Sequence, residues 1–149
     1  MGVDLYQDSI IALSRRSDHI GSVPDADCEA VMRNPLCGDQ VTVQLQIEEG
    51  RIRSLRYQVR GCLLCKASSA HLASLSEGLD LDEFRQLHGY FDKALRTEAE
   101  KDVSFPETHA VFLPVRPYKS RHSCLLLPYE TIIEAISTYD AHQSNLCVS

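Results

Sequence analysis

The chain has 149 residues, enough for one domain with a real hydrophobic core and short for two. Its composition, 44% hydrophobic and 24% charged, is that of an ordinary globular protein. A formal charge of −6 with scattered arginines disfavours a nucleic-acid partner, and no apolar run approaches the roughly 18 residues of a membrane span.

Residues 4–16 read as a helix, with Asp4 as cap and Leu5, Tyr6, Ile10 and Leu13 at helical spacing. A turn-rich connector, RRSDHIGSVPDAD, follows. Ala26, Cys28, Ala30 and Met32 alternate over 26–32, which predicts a short strand. Val41, Val43, Leu45 and Ile47 alternate with polar residues, EEGR supplies a turn, and Leu55, Tyr57 and Val59 alternate again. These two strands, 41–48 and 52–60, form a hairpin with one packed and one wet face.

From Lys66 the period becomes helical. KASSAHLASLSEG is a helix of small residues ending at Gly78 as C-cap. Asp80 and Glu83 form a capping box for a second helix with the stripe Leu81, Phe84, Leu87, Phe91 and Leu95. TEAEKDVSFPET breaks it, FLPVRPYKS reads as a Pro-punctuated extended segment, and a last helix carries Ile132, Ile133, Ile136 and Tyr139. The order predicts a single α+β domain over 1–149, helices on one face of an antiparallel sheet, with a polar tail from about residue 140.

The N-terminus MGVDLYQDSI lacks the basic-then-apolar order of a signal peptide, and Tyr6 stands where a myristoylation motif needs Ser or Thr. A cytoplasmic location is expected. There, six cysteines point to metal binding, catalysis or burial rather than structural disulfides.

In NPLCGDQV, Gly38 lets Cys37 and Asp39 face a common centre, half of a metal site. The alternative is a turn in which Asp39 bonds its own backbone. Cys62 lies at the far end of the hairpin, which brings it near both, and it faces a helix N-terminus that favours thiolate. Cys124 again precedes a helix, with Ser123 as candidate cap and the cations Arg121 and His122 beside it. All three cysteines are thus expected in acidifying surroundings. Cys28 reads as core and Cys147 as incidental. Cys62 and Cys65 form a C-x-x-C, either a redox pair or half of a four-cysteine zinc site. The other histidines are dispersed, and Ser68 and Ser69 fit close helix packing.

LYQDSII, NPLCGDQV, GCLLCKASSA and RHSC followed by a helix, in this order, resemble the U-type iron–sulfur cluster assembly scaffold family (IscU, SufU and the NifU N-terminal domain). The long segment between Cys62 and Cys124, and the Arg three residues before Cys124, resemble the SufU branch. The resemblance implies a SufE/NifU-like fold, a three-stranded antiparallel sheet with helices packed on it. It implies one exposed site in which Cys37, Asp39, Cys62 and Cys124 hold Zn²⁺ or a nascent [2Fe–2S] cluster. Cys37 and Cys124 are the candidate persulfide acceptors, and Cys65, Arg121 and His122 are accessory candidates. The implied partners are a pyridoxal-phosphate-dependent cysteine desulfurase and apo iron–sulfur acceptor proteins. A scaffold or zinc-bearing sulfur acceptor is therefore expected in preference to an enzyme. The alternatives are a structural zinc module or a dithiol redox protein using Cys62 and Cys65.

The sequence departs from the family's wording at four places. LSRRSDHIG lacks the NPRNxG phrase, Cys65 replaces a small residue or Ser, and Ser123 replaces the His of the IscU branch. The LPPVK chaperone-docking motif is not reproduced, so no chaperone is carried over. Pro128, close behind Cys124, predicts a loosened first turn.

Overall fold

A computed structural model describes residues 8–97 and 107–148, so the expected cap at Asp4 and the residues Leu5 and Tyr6 lie outside it. The first helix, α1, runs Asp8–Ser14 and buries Ile10. Three strands follow: β1 (Cys28–Arg33), β2 (Gln40–Glu48) and β3 (Arg51–Arg60). They pair antiparallel in the order β1-β2-β3.

The hairpin forms because alternate residues are apolar. Val41, Val43, Leu45 and Ile47 are buried from β2, and Ile52, Leu55 and Tyr57 from β3. Glu48 pairs with Arg51, leaving a two-residue turn in which Glu49 (φ 53°) and Gly50 (φ 74°) are both left-handed. Two left-handed residues match the right-handed twist of the strands they join. A register shift between Gln46 and Ile47 resets the alternation before this turn.

The outer edge of β3 is covered. Tyr57 N–H donates to His19 O (3.0 Å) and Gly21 N–H donates to Tyr57 O (3.1 Å), a short parallel bridge through Ile20. Farther along, Ile52 N–H donates to Leu79 O (2.9 Å) and Leu55 N–H to Glu77 Oε2 (3.2 Å).

Helix α2 (Leu63–Ser76) lies against β3, and its buried Ala67, Ser68, Ser69, Ala70 and Ala73 let α4 approach closely. Here α4 is the last helix, His122–Val148, which packs on β1, β2 and α2. Ser68 Oγ donates to Leu125 O across this contact at 2.6 Å, which accounts for a small hydroxyl in the core. Gly78, at φ 95°, ends α2, and the capping box of Asp80 and Glu83 opens α3 (Leu81–Arg96). Leu81, Phe84, Phe91 and Leu95 of the expected stripe are buried, with Leu87 half-buried beside them.

Three expectations are corrected. The segment FLPVRPYKS is not extended but lies in 3₁₀ turns, Glu107–Val115 and Lys119–Arg121. Phe112 and Val115 are buried there, and tight turns satisfy i+3 donors where prolines interrupt an α-helix. Cys124 does not precede the last helix but sits in its first turn, since α4 begins at His122. That helix also does not fray near residue 140 but continues to Val148. Pro128 lies inside it, past the first turn, and gives the Cys124 carbonyl no N–H four residues on.

Candidate metal centre

The loop from Asn34 to Asp39 joins β1 to β2, and a buried asparagine organises it. Asn34 N–H donates to Asp39 O, Gly38 N–H to Asn34 O, both at 2.8 Å, and Leu36 N–H to Asn34 Oδ1 at 3.0 Å. Gly38 adopts φ 76°, a conformation L side chains rarely take. A Cβ there would meet nothing within 4 Å, so the backbone angle, not space, calls for glycine. The loop presents Leu36 (91% exposed) and Cys37 to solvent and turns Asp39 inward, where it is 1% exposed.

Asp39 is held by the far end of the hairpin, as the antiparallel register of Gln40 with Arg60 requires. Cys62 N–H donates to Asp39 Oδ1 at 2.8 Å, and Cys62 Sγ lies 3.5 Å from Oδ2. Gly61 makes this possible. A Cβ at that position would fall 2.3 Å from Asp39 Oδ1 and 2.7 Å from its Cγ.

Cys62 is the N-cap of α2, and its sulfur accepts the Cys65 N–H at 3.4 Å. Cys124 enters from the first turn of α4 at 1% exposure. Ligand atoms of Cys37, Asp39 and Cys124 all lie within 4.8 Å of one another. Cys62 lies beside them, its sulfur 3.5 Å from Asp39 Oδ2. Three side chains from two distant stretches of sequence, Cys37 with Asp39 and Cys124, therefore come together, with Cys62 against Asp39 at their side.

Acidity is unevenly shared. The hydrogen bond from Cys124 and the Cys65 N–H outweigh burial and draw Cys62 down to about 7. Cys124, which gives that bond, is pushed well above the ordinary thiol range by Cys62 and by burial. Cys37 is also raised, by desolvation and then by its hydrogen bond with Asp39. The expected acidification of all three thiols is thus corrected to one. In the metal-free protein Cys62 takes the charge and the neighbouring acid Asp39 resists more of it.

The donor set fits a thiophilic ion or cluster. Thiolates are soft ligands suited to zinc and to iron–sulfur chemistry, and a carboxylate completes a four-donor set. Two tetrahedral ligands of one zinc stand roughly 3.8 Å apart, from Zn–S bonds of about 2.3 Å, and the ligand atoms of Cys37, Asp39 and Cys124 lie within 4.8 Å of one another.

The accessory candidates fall away from this point. Cys65 is fully buried, its thiol raised far out of the working range by desolvation, and only its N–H reaches the site. His122 Nε2 pairs with Arg116 O at 2.8 Å. Arg121 enters the described contacts through its backbone N–H, which donates to Tyr118 O. Cys28 is a core residue, its thiol pushed up to about 12 by burial, and the Cys147 side chain lies outside the described residues.

Three residues with roles here are invisible to sequence patterning. Asn34 and Gly61 carry no ligand atom. Ser123 reads as a helix cap, yet its Oγ accepts the Asn34 Nδ2–H at 2.8 Å. The local hints are that Asn34 and Gly61 open the motifs NPLCGDQV and GCLLCKASSA, and that each of the three stands within three residues of a cysteine.

The family model described as the NifU-like N terminal domain matches residues 5–145. The chain belongs to that family. This NifU-like domain is 27% identical over 79 residues to the iron-sulfur cluster assembly scaffold proteins IscU 1 and IscU 2 of Archaeoglobus fulgidus. That alignment takes in 53% of this chain and spans about half the length of those relatives, 52%. It is 24% identical to the scaffold protein IscU of Thermotoga maritima over 89% of this chain and 92% of that one. Among solved structures, the N-terminal NifU-like protein of Brucella abortus superposes with a TM-score of 0.83 at 28% identity, covering 92% and 95% of the two chains. A putative SUF-system scaffold from Fervidobacterium islandicum shares the fold with a TM-score of 0.78 at 23% identity, over 88% and 96%. The three-stranded antiparallel α+β fold is thus the family's own. No helix among the described residues is long and apolar enough to cross a membrane.

Proposed function

We infer that this NifU-like domain is an iron–sulfur cluster assembly scaffold whose cargo is held by Cys37, Cys62, Cys124 and Asp39. The observation that carries the reading is the meeting of Cys37, Asp39 and Cys124 within 4.8 Å, with the Cys62 N–H and sulfur against the two oxygens of Asp39. The iron-sulfur cluster assembly scaffold proteins IscU that align with most of this chain support it.

The chain's own residues suit sulfur acceptance. Cys37 is the exposed thiol, placed to meet an incoming donor. Cys62, near 7, is the thiolate ready at neutral pH. In the transfer step a scaffold thiolate attacks the outer sulfur of a desulfurase persulfide. A new S–S bond forms, the donor's S–S bond breaks, and the desulfurase cysteine leaves as thiolate. No electrons are gained or lost overall. Cys124, protonated and buried, is poorly placed to act first and serves as ligand once the proton it shares with Cys62 has left. The sulfur source is a pyridoxal-phosphate-dependent cysteine desulfurase, the recipients are apo iron–sulfur proteins, and the setting is the reducing cytoplasm.

A [2Fe–2S] cluster is the cargo and Zn²⁺ an alternative occupant of the same donors. A dithiol redox pair is disfavoured because Cys65 is fully buried and its thiol is strongly raised. A purely structural zinc module is disfavoured because the apolar core of sheet, α2 and α4 needs no ion to close it.

Anaerobic reconstitution with ferrous iron, cysteine and a cysteine desulfurase tests the reading. Visible absorption of a [2Fe–2S] chromophore, lost in Cys37→Ala, is the expected result. Iron bound in equal amount by a variant lacking Cys37, Cys62 and Cys124 would overturn it.

A further inference from the structure

The thiol site is divided between two bodies. Cys37 and Asp39 belong to the loop between β1 and β2, while Cys124 belongs to α4, more than eighty residues away in the chain. Asn34 reaches across. Its backbone N–H and C=O and its Oδ1 fold the loop into shape, through Asp39 O, Gly38 N–H and Leu36 N–H. Its remaining group, Nδ2, donates to Ser123 Oγ at 2.8 Å, one residue from Cys124. Asn34 is 6% exposed, so water competes little for this bond.

We propose that Asn34 and Ser123 form a latch that holds the Cys37 loop closed against the first turn of α4 and so sets how readily Cys124 is uncovered and the site gives up its cargo. They are positioning residues: neither has a donor atom in the thiol cluster. The location of the bond argues for control of access rather than of global folding. It spans the gap between exposed Cys37 and buried Cys124, whereas the core beneath is held by apolar packing of the sheet with α2 and α4. Ser123 is suited to the task because a hydroxyl on the first turn of α4 can accept from the loop without entering the cluster.

The inference rests on the scaffold reading for its link to cargo, but the latch itself is measurable in the metal-free chain. The 149-residue chain is stripped with chelator, and alkylation of each cysteine by iodoacetamide is followed by mass spectrometry. With the latch cut in Ser123→Ala, Cys124 alkylates about five- to tenfold faster, the equivalent of losing one hydrogen bond of ordinary net strength. Exposed Cys37 changes little, and core Cys28 serves as the control for global loosening. Ser123→Thr, which keeps the hydroxyl, restores the slow rate.

Asn34→Ala accelerates Cys124 at least as much, and adding Ser123→Ala to it changes the rate no further, the signature of a shared contact. Because Asn34→Ala also disturbs the loop and can fail to fold, Ser123→Ala carries the test. A second readout is the release of zinc to a chromogenic chelator, faster by a similar factor in Ser123→Ala.

An unchanged Cys124 rate in Ser123→Ala, equal acceleration at Cys28, or multiplying effects in the double variant would each overturn the latch. A faster Cys124 rate in a protein whose wild type retains neither zinc nor cluster would uphold the latch and overturn the scaffold reading instead.

Discussion

The two oxygens of Asp39 have different neighbours: Oδ1 receives the Cys62 N–H at 2.8 Å, and Oδ2 lies 3.5 Å from the Cys62 sulfur. The carboxylate is therefore fixed in orientation by one oxygen while the other faces the thiols. It can serve as a single oxygen donor, the least thiophilic corner of the site and the one an incoming acceptor thiolate displaces most easily.

Asp39→Ala should therefore leave bound cargo longer-lived, with a methyl closing the labile corner. Transfer to an apo-ferredoxin should slow, while the denaturation midpoint falls because the Cys62 N–H loses its acceptor, at about 1–3 kcal/mol. Faster loss of cargo would show that Asp39 holds rather than labilises.

Gly61→Ala acts on the same carboxylate from behind. A Cβ 2.3 Å from Oδ1, 2.7 Å from Cγ and 3.0 Å from the Asp39 Cβ displaces it. Bound cargo should then leave more slowly than from wild type, as in Asp39→Ala, with a stability cost of about 1–3 kcal/mol from overpacking. Release kinetics beside a thermal melt separate the two effects, and a wild-type release rate would refute the steric argument.

Cys62→Ser and Cys65→Ser should differ in kind. The first removes a sulfur from the cluster and should lower metal occupancy sharply with little change in folding. The second puts a hydroxyl at a fully buried position and should lower stability by about 1–3 kcal/mol with occupancy nearly intact. Equal losses of metal in the two variants would mean that Cys65 is a ligand.

Cys124→Ala should lower zinc or cluster retention sharply while far-ultraviolet circular dichroism barely changes. Its sulfur lies within 4.8 Å of the ligand atoms of Cys37 and Asp39, so its loss opens a coordination position. Undiminished retention would exclude it from the donor set.

Acid should weaken the fold through His109. Its ring is buried, Nε2 bonded to the Tyr129 hydroxyl, and burial, with His71 at a ring distance of 5.0 Å, draws it from 6.5 down to about 3. A histidine depressed in the folded state binds its proton more readily when unfolded. Its contribution is intact above pH 6.5 and is lost as pH falls from there toward 3, by up to about 1.4 kcal/mol per pH unit. Denaturation midpoints measured across that window should fall more steeply for wild type than for His109→Phe, and parallel curves would refute the assignment.

What the sequence made legible was local. The alternation from Val41 to Val59 specified the hairpin, and the hairpin alone carried Cys62 back to Cys37 and Asp39. The Asp80–Glu83 capping box and the small-residue face of α2 were likewise readable, since each is settled within a few residues. The meeting with Cys124 was a different matter. It depends on how α4 crosses the sheet, which no spacing encodes, and only the family resemblance anticipated it. Gly61 and the Asn34–Ser123 bond escaped notice because their roles are steric or long-range. FLPVRPYKS was misread since its two prolines, Pro114 and Pro117, suit an extended chain and a 3₁₀ turn alike. Uniform acidification of the thiols failed because three thiols and a carboxylate in one place compete for the same proton.

The covered edge of β3 has a bearing on self-association. With Ile52, Leu55 and Tyr57 donating their N–H groups to Leu79, Glu77 and His19, that side of the sheet has little left to template another strand. Sheets that leave such rows unpaired are prone to stacking edge to edge with their own kind. Among the described residues the opposite strand, β1, has no such cover, and it lies directly beside the loop that carries Cys37. The edge left for a further strand among the described residues is therefore that of β1, on the same flank as the thiols.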